Sequence, residues 1–421
     1  MPLVPLSSPP WQNRLWVICI CAGMLLFFTQ VTVLFPVLPL YLIQRWGETA
    51  PVGWVVGALA AGLLFFRPWI GMLLDRWGRK PVLWLGLLIM LGILPLYLWS
   101  PNPLWLMGVR VLHGISQAAL ATASQTMLVD LVPPHRRTAM LGYLAMSNTI
   151  GFSLGPLMGS SAFATGGFEA VVQMQLILTV VGFVISLPLP WLMVRSAQSA
   201  QSEVQSARGE LSATQTSPIQ PSEIQASEAR LTRPSTDFPW KHILSFPVRE
   251  ATFVFFIGSF LHGGVVTFLP LFIPNAAQFY SLNAFVAILV RFGLGRWGNV
   301  ISQRWIVSLG VLCSGSALIG LSQLPEYLIF WSIIYGLGFG TLFPVLSAIV
   351  SLAAPAALRG RIYSFFLAGF DGGMTLGGAG VQPLIQVLPL STIFALLGGV
   401  GCGVSGFAFR RFAGIRRMGD R

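Results

Sequence analysis

The sequence predicts an all-α polytopic membrane protein, with twelve transmembrane helices arranged as two pseudo-symmetric six-helix halves. Three observations carry that expectation. Of the 421 residues, 55% are hydrophobic and only 9% are charged, whereas soluble chains carry about 25% charged residues. The apolar residues form long unbroken blocks that suit helices of roughly 20 residues, not the alternating ten-residue strands of a membrane barrel. The blocks also fall into two sets of six, and the residue pattern of the first set recurs in the second.

The first set lies at residues 16–42, 52–74, 82–99, 104–129, 138–160 and 170–194, and the second at 250–273, 279–299, 305–323, 326–353, 361–388 and 391–412. Residues 1–194 are thus expected to form an N-terminal bundle, and 250–421 a C-terminal bundle with a basic tail. Residues 195–249 are rich in Ser, Gln, Ala and Pro and nearly free of aromatics. Such a composition buries too little surface to offset the entropy of ordering, so the segment is expected to be a disordered linker. The block from Trp16 to Leu42 is too long for the core of a cleavable signal peptide.

The formal charge of +12 would suggest nucleic acid in a soluble protein, but the charges sit between apolar blocks. Arg76, Arg79 and Lys80, then Arg136 and Arg137, Arg296 and Arg304, Arg359 and Arg361, and a C-terminal cluster occupy alternate loops. By the positive-inside rule those loops are cytoplasmic, as are both termini, in a cell (inner or plasma) membrane. No nucleic-acid partner is expected. Cys19, Cys21, Cys313 and Cys402 all lie inside apolar blocks without metal-ligand spacing, so neither metal nor cofactor is expected. No group of acids, histidines or nucleophiles has catalytic spacing, which argues against an enzyme.

The repeat is visible residue by residue. Arg67, Gly71 and Asp75 return as Arg291, Gly295 and Asn299, 224 residues later; Arg137, Gly151 and Gly155 return as Arg359, Gly373 and Gly377 after 222 residues. Transporters built from parallel halves bind substrate near the midplane between them.

The loop after the second block reads GMLLDRWGRK from Gly71 to Lys80. It resembles, nearly residue for residue, the signature loop of the major facilitator superfamily. Gly71 would permit close helix approach and Gly78 a tight turn. The resemblance implies that Asp75, Arg76 and Arg79 latch the halves on the cytoplasmic side, joined by Asp130. In the fourth block Arg110, Gly114 and Gln117 share a helical face with His113 beside them. This pattern resembles the family's fourth-span motif, whose arginine is associated with proton transfer. Two readings stand for Arg110: coupling or gating, or a side chain that snorkels to an outer surface about 9 Å away. In the fifth block Gly142, Gly151, Gly155, Pro156 and Gly159 are similar to the antiporter motif of drug-exporting members, with Ser160 where a second glycine is usual. There Pro156 would kink the span.

Asp371 lies ten residues past Arg361, about 15 Å from the inner face, and no other carboxylate is expected so deep. His262, Gln30 and Asn148 fall at similar depth. The family resemblance implies a central cavity to which Gln30, Arg67, His113, Gln117, Asn148 and Arg291 would contribute polar groups. Desolvation favours the neutral form of a carboxyl group, which suits Asp371 to proton coupling; substrate contact and a structural pair with Arg67 or Arg291 are the competing readings. For His262, a transport role competes with simple packing. Arg67 and Arg291 lie about two turns from the inner face, and their symmetry points to pairing or gating, with substrate binding as the alternative.

Taken with the motifs, the resemblance implies a secondary active transporter, monomeric in the bilayer, that exports a small amphipathic organic solute in exchange for protons. Uptake or facilitated diffusion of a sugar, organic acid or metal chelate is the alternative within transport. A non-transporting membrane sensor is the alternative outside it.

Overall fold

The computed structural model describes residues 10–132, 136–191, 240–297, 302–355 and 358–414. Every regular element among them is helical. Helices α1 (Pro10–Trp46), α2 (Val52–Trp77), α3 (Arg79–Leu98) and α4 (Pro103–Leu131) are followed by the helical stretch Arg137–Ser186. That stretch breaks at Gly166 (φ −143°, ψ 21°) and Gly167 (φ 65°, ψ −158°), so its arms, 137–165 and 168–186, are α5 and α6. A positive φ is easy only for glycine. The arms fold back on one another: Gly151 and Gly155 in α5 meet α1 between Leu25 and Val33, while Gln175 in α6 donates to the Gln30 carbonyl oxygen of α1 at 3.1 Å. Pro156 stays within helix, and the break falls ten residues later.

The second half comprises α7 (Val248–Phe272), α8 (Ala276–Trp297), α9 (Gln303–Gln323), α10 (Leu328–Ala353), α11 (Arg359–Ala379) and α12 (Leu390–Arg411). Ten stretches are long and apolar enough to cross a membrane, with α5 and α6 counted together. Helix α11 falls short because Asp371 and six glycines dilute its apolar residues. The result is twelve helices in two sets of six, with large side chains such as Phe65, Ile177, Phe292 and Ile329 exposed on the outside, where a bilayer solvates them.

Packing repeats across the halves. A Cβ on Gly151 or Gly155 would strike the Leu25 and Thr29 carbonyls of α1, and one on Gly373 or Gly377 would strike the Phe256 and Phe260 carbonyls of α7. Glycine at these four positions is what lets each helix pair approach so closely. Lys80, buried at the start of α3, donates to the carbonyl oxygens of Leu187 (2.8 Å) and Leu189 (2.7 Å) just past α6 and lies over the Trp84 and Trp191 rings. A buried ammonium needs such partners, and here it satisfies carbonyls past the end of α6.

The expected linker differs from the structure at its C-terminal end. Residues 192–239 lie outside the described residues, but 240–249 include a helical turn, Trp240–Ile243, and the start of α7. Ile243 and Val248 are buried in the second half's core, and these apolar residues supply surface that ordering needs.

Candidate functional site

The halves meet along two main crossings, and α1 also packs against α7. At the first, α2 packs on α11. Near the start of α2, a Cβ on Gly53 would strike the Gly378 carbonyl, and Gly57 lies against Thr375 and Ala379. Gln382, just past α11, accepts from the Gly53 amide through Oε1 and donates from Nε2 to the Ala50 carbonyl oxygen at 3.3 Å. Deeper in the bundle, Arg67 Nη2 lies 3.3 Å from Asp371 Oδ2. The pair is close but poorly aligned: Asp371 Oδ2 and Arg67 Nε are buried without hydrogen-bond partners. Arg67 is ten residues from the end of α2, about 15 Å along the helix.

At the second crossing, α5 packs on α8. Ser153 Oγ donates to the Ser281 carbonyl oxygen at 3.0 Å, and Ser281 Oγ returns the bond to Ser153 at 2.6 Å. Phe35 of α1 meets Tyr280 edge-on, and the Tyr280 hydroxyl is anchored on the Val265 carbonyl oxygen. Arg291 Nη1 donates to the Thr149 hydroxyl, while its Nε has no partner. The two crossings are related by the repeat. Arg67 corresponds to Arg291, and the 222-residue offset that relates Gly151 to Gly373 carries Thr149 onto Asp371. One backbone arrangement therefore holds Arg–Asp at one seam and Arg–Thr at the other.

The expected latch residues lie at the Arg79 end of the bundle. Arg79 Nε pairs with Asp130 Oδ2 at 2.8 Å, but both belong to the first half, tying α3 to α4. Asp75 and Arg76 are exposed. Gly78 takes φ 88° between α2 and α3, as the tight turn requires. Gly71 and Gly142 have open space where a Cβ would stand, so neither makes the close contact expected of it in this conformation, whereas Gly159 does, against Val33.

Other expected site residues are dispersed. Arg110 is 2% exposed and reaches the Val56 carbonyl oxygen of α2 at 3.4 Å, inside the first half and not at a surface. His113 beside it lies 3.0 Å from the Tyr97 hydroxyl. His262 belongs to the second half, 3.3 Å from the Tyr335 hydroxyl and stacked on Phe339. Neither Arg110 nor His262 touches the Arg67–Asp371 pair. Gln30, Gln117 and Asn148 each carry a buried polar side-chain atom without a partner. Cys19, Met24, Leu87 and Leu120 help line a small, mostly apolar cavity, which lies within the first half and not between the halves. Thr149, Gln382 and the Ser153–Ser281 couple carry no motif; only the repeat offset points to Thr149.

Comparison with known proteins decides the family. Residues 20–280 match the model of the Major Facilitator Superfamily. The chain belongs to this superfamily. As a major facilitator it is a multi-pass membrane transporter. The chain is 22% identical over 385 residues to the staphylopine export protein of Staphylococcus aureus (strain Mu50 / ATCC 700699), covering 89% of this chain and 90% of that one. It is 28% identical over 148 residues to the quinolone resistance protein NorA of Staphylococcus aureus, about a third of each chain. The fold is similar to the inward-open xylose transporter XylE from E. coli, with TM-score 0.69 at 15% identity over 94% of this chain and 95% of that one. It is also similar to a POT family transporter in complex with a thioalcohol-conjugated peptide (TM-score 0.66, 15% identity, 96% of each chain).

Proposed function

We propose that this major facilitator is a proton-coupled exporter of a small amphipathic organic solute, working by alternating access with both termini in the cytoplasm. The observation that carries the reading is the Arg67–Asp371 pair. Among the described residues it is the one ion pair between the halves, and its acid is buried. A buried charge left alone is costly, so adding a proton to Asp371 discharges the acid and weakens the seam between α2 and α11. Losing that proton re-forms the attraction to Arg67. One proton thereby biases which way the halves rock, which is what exchange requires.

Further support comes from the distribution of contacts. Gly53, Gly57, Gly378 and Gln382 draw α2 and α11 together at the end opposite Arg79. Export also agrees with the activity named for the staphylopine relative, and with the glycine motif of α5, which packs along α1. Gly142 to Gly159 would serve as the surface on which α5 and α1 move together. Asp371 would pick up its proton from outside and release it inside as solute is exchanged. Arg110 and His262, each buried beside a tyrosine, are assigned supporting roles in coupling within their own halves. Asp75, Arg76, Arg79 and Asp130 would close the cytoplasmic end in the opposite state.

The test uses inside-out vesicles from cells that express the protein, energised to an acidic interior and followed by a pH-sensitive dye. Adding an exported solute from a panel containing staphylopine, a fluoroquinolone and other amphipathic compounds is expected to raise the interior pH as protons leave. If saturable solute flux occurs without proton movement, the coupled-export reading is wrong.

A further inference from the structure

We infer that the α5–α8 crossing binds an anionic group of the transported solute, most simply a carboxylate, and that Arg291 is the residue that receives it. The inference rests on the transport reading above and names the substrate class of that site.

An arginine in a membrane interior is costly unless a counter-charge accompanies it. At the α2–α11 crossing the fold supplies one: Asp371 stands 3.3 Å from Arg67. At the α5–α8 crossing the same backbone offset puts Thr149 in the place of that acid, and Thr149 offers a neutral hydroxyl. No carboxylate among the described residues lies within ion-pair distance of Arg291. The interior seam therefore holds two guanidinium groups and one carboxylate, an excess of one positive charge.

The free donors of Arg291 have a suitable shape. Nη1 is engaged by Thr149, while Nε is buried with no partner. The Nε–Nη2 edge of a guanidinium receives a carboxylate side-on through two parallel hydrogen bonds, a geometry that a point-charge ammonium cannot supply. Arg291 is half-buried, and no carboxylate among the described residues neutralises it for an arriving anion. Threonine at 149 keeps the guanidinium in place without competing for it as an aspartate would.

Equilibrium binding in detergent tests this without any gradient. The probes are dansylglycine, which carries a carboxylate, and dansylglycinamide, its neutral counterpart, followed by fluorescence anisotropy. The wild-type protein is expected to bind the carboxylate roughly tenfold or more tightly than the amide. R291Q should bring the two affinities together, and R291K should keep only part of the preference. T149D, which gives Arg291 the internal acid that Arg67 has, should abolish the preference with no loss of thermal stability. Equal affinities in the wild type, no binding of the carboxylate, or a preference undiminished in R291Q and T149D would overturn the inference. If T149D fails to fold, R291Q and R291K decide between the outcomes. The two readings fail separately: proton-driven flux with no Arg291-dependent anion preference overturns only this inference, and the preference without proton-driven flux overturns only the coupling.

Discussion

The α2–α11 and α5–α8 crossings descend from one pattern, and they differ in a single feature of charge. Both place an arginine from the even-numbered helix against a residue two positions before a conserved spacing of glycines, Gly151 and Gly155 in one half and Gly373 and Gly377 in the other. At α2–α11 the partner is Asp371; at α5–α8 it is Thr149. In the proposed cycle the first seam is switched by one proton on its counter-charge. The second cannot be neutralised from within the described protein and stays receptive to an outside anion. Duplication supplies a scaffold in which two equivalent places are free to take different tasks, and the chemistry is to be sought where the repeat is broken.

The largest expected effect comes from erasing the difference on the acidic side. D371N should cut proton-driven solute accumulation by about a hundredfold, since an amide cannot carry the proton, measured in proteoliposomes under an imposed pH gradient. R67Q should do less, about tenfold, because Asp371 keeps its proton site but loses the attraction that reads it; the same assay checks it. Gln382→Ala, which removes the outer tie from α11 to Gly53 and Ala50, should raise uncoupled solute leak a few-fold with accumulation otherwise retained. Removing one hydroxyl of the reciprocal couple, S153A or S281A, should cost about 0.6 kcal/mol, typical of a hydrogen bond between membrane helices, and lower the melting temperature slightly. Gly71→Ala should leave the melting temperature unchanged, since nothing stands within 4 Å of the added carbon.

Much of the architecture was legible in the sequence because hydropathy and glycine spacing are strong local signals. The twelve apolar blocks, the turn at Gly78 and the close approach of Gly151 and Gly155 to α1 all follow from residue type. The depth of Asp371 was also readable, since helical rise converts sequence distance into height. What sequence could not give was rotation about each helix axis. Arg110, His262 and Asp371 have comparable interest by composition, yet Arg110 turns to Val56, His262 to Tyr335 and only Asp371 to the other half. Thr149 was missed because a threonine in an apolar block is unremarkable until its repeat mate is known to be an acid. Gln382 lies outside every motif, and its role depends on a contact more than 300 residues away. Gly71 was misjudged for a related reason: a glycine marks potential for close approach, and whether another helix comes near depends on conformation.

The most direct test of the proton lock separates solute exchange from proton-driven accumulation in one preparation. Wild-type and D371N proteins, reconstituted in parallel, are assayed for counterflow of an exported solute at equal pH on both sides and for accumulation of the same solute under a pH gradient. The account predicts that D371N retains counterflow within about threefold while accumulation falls to the level of empty liposomes. Full accumulation by D371N would contradict it.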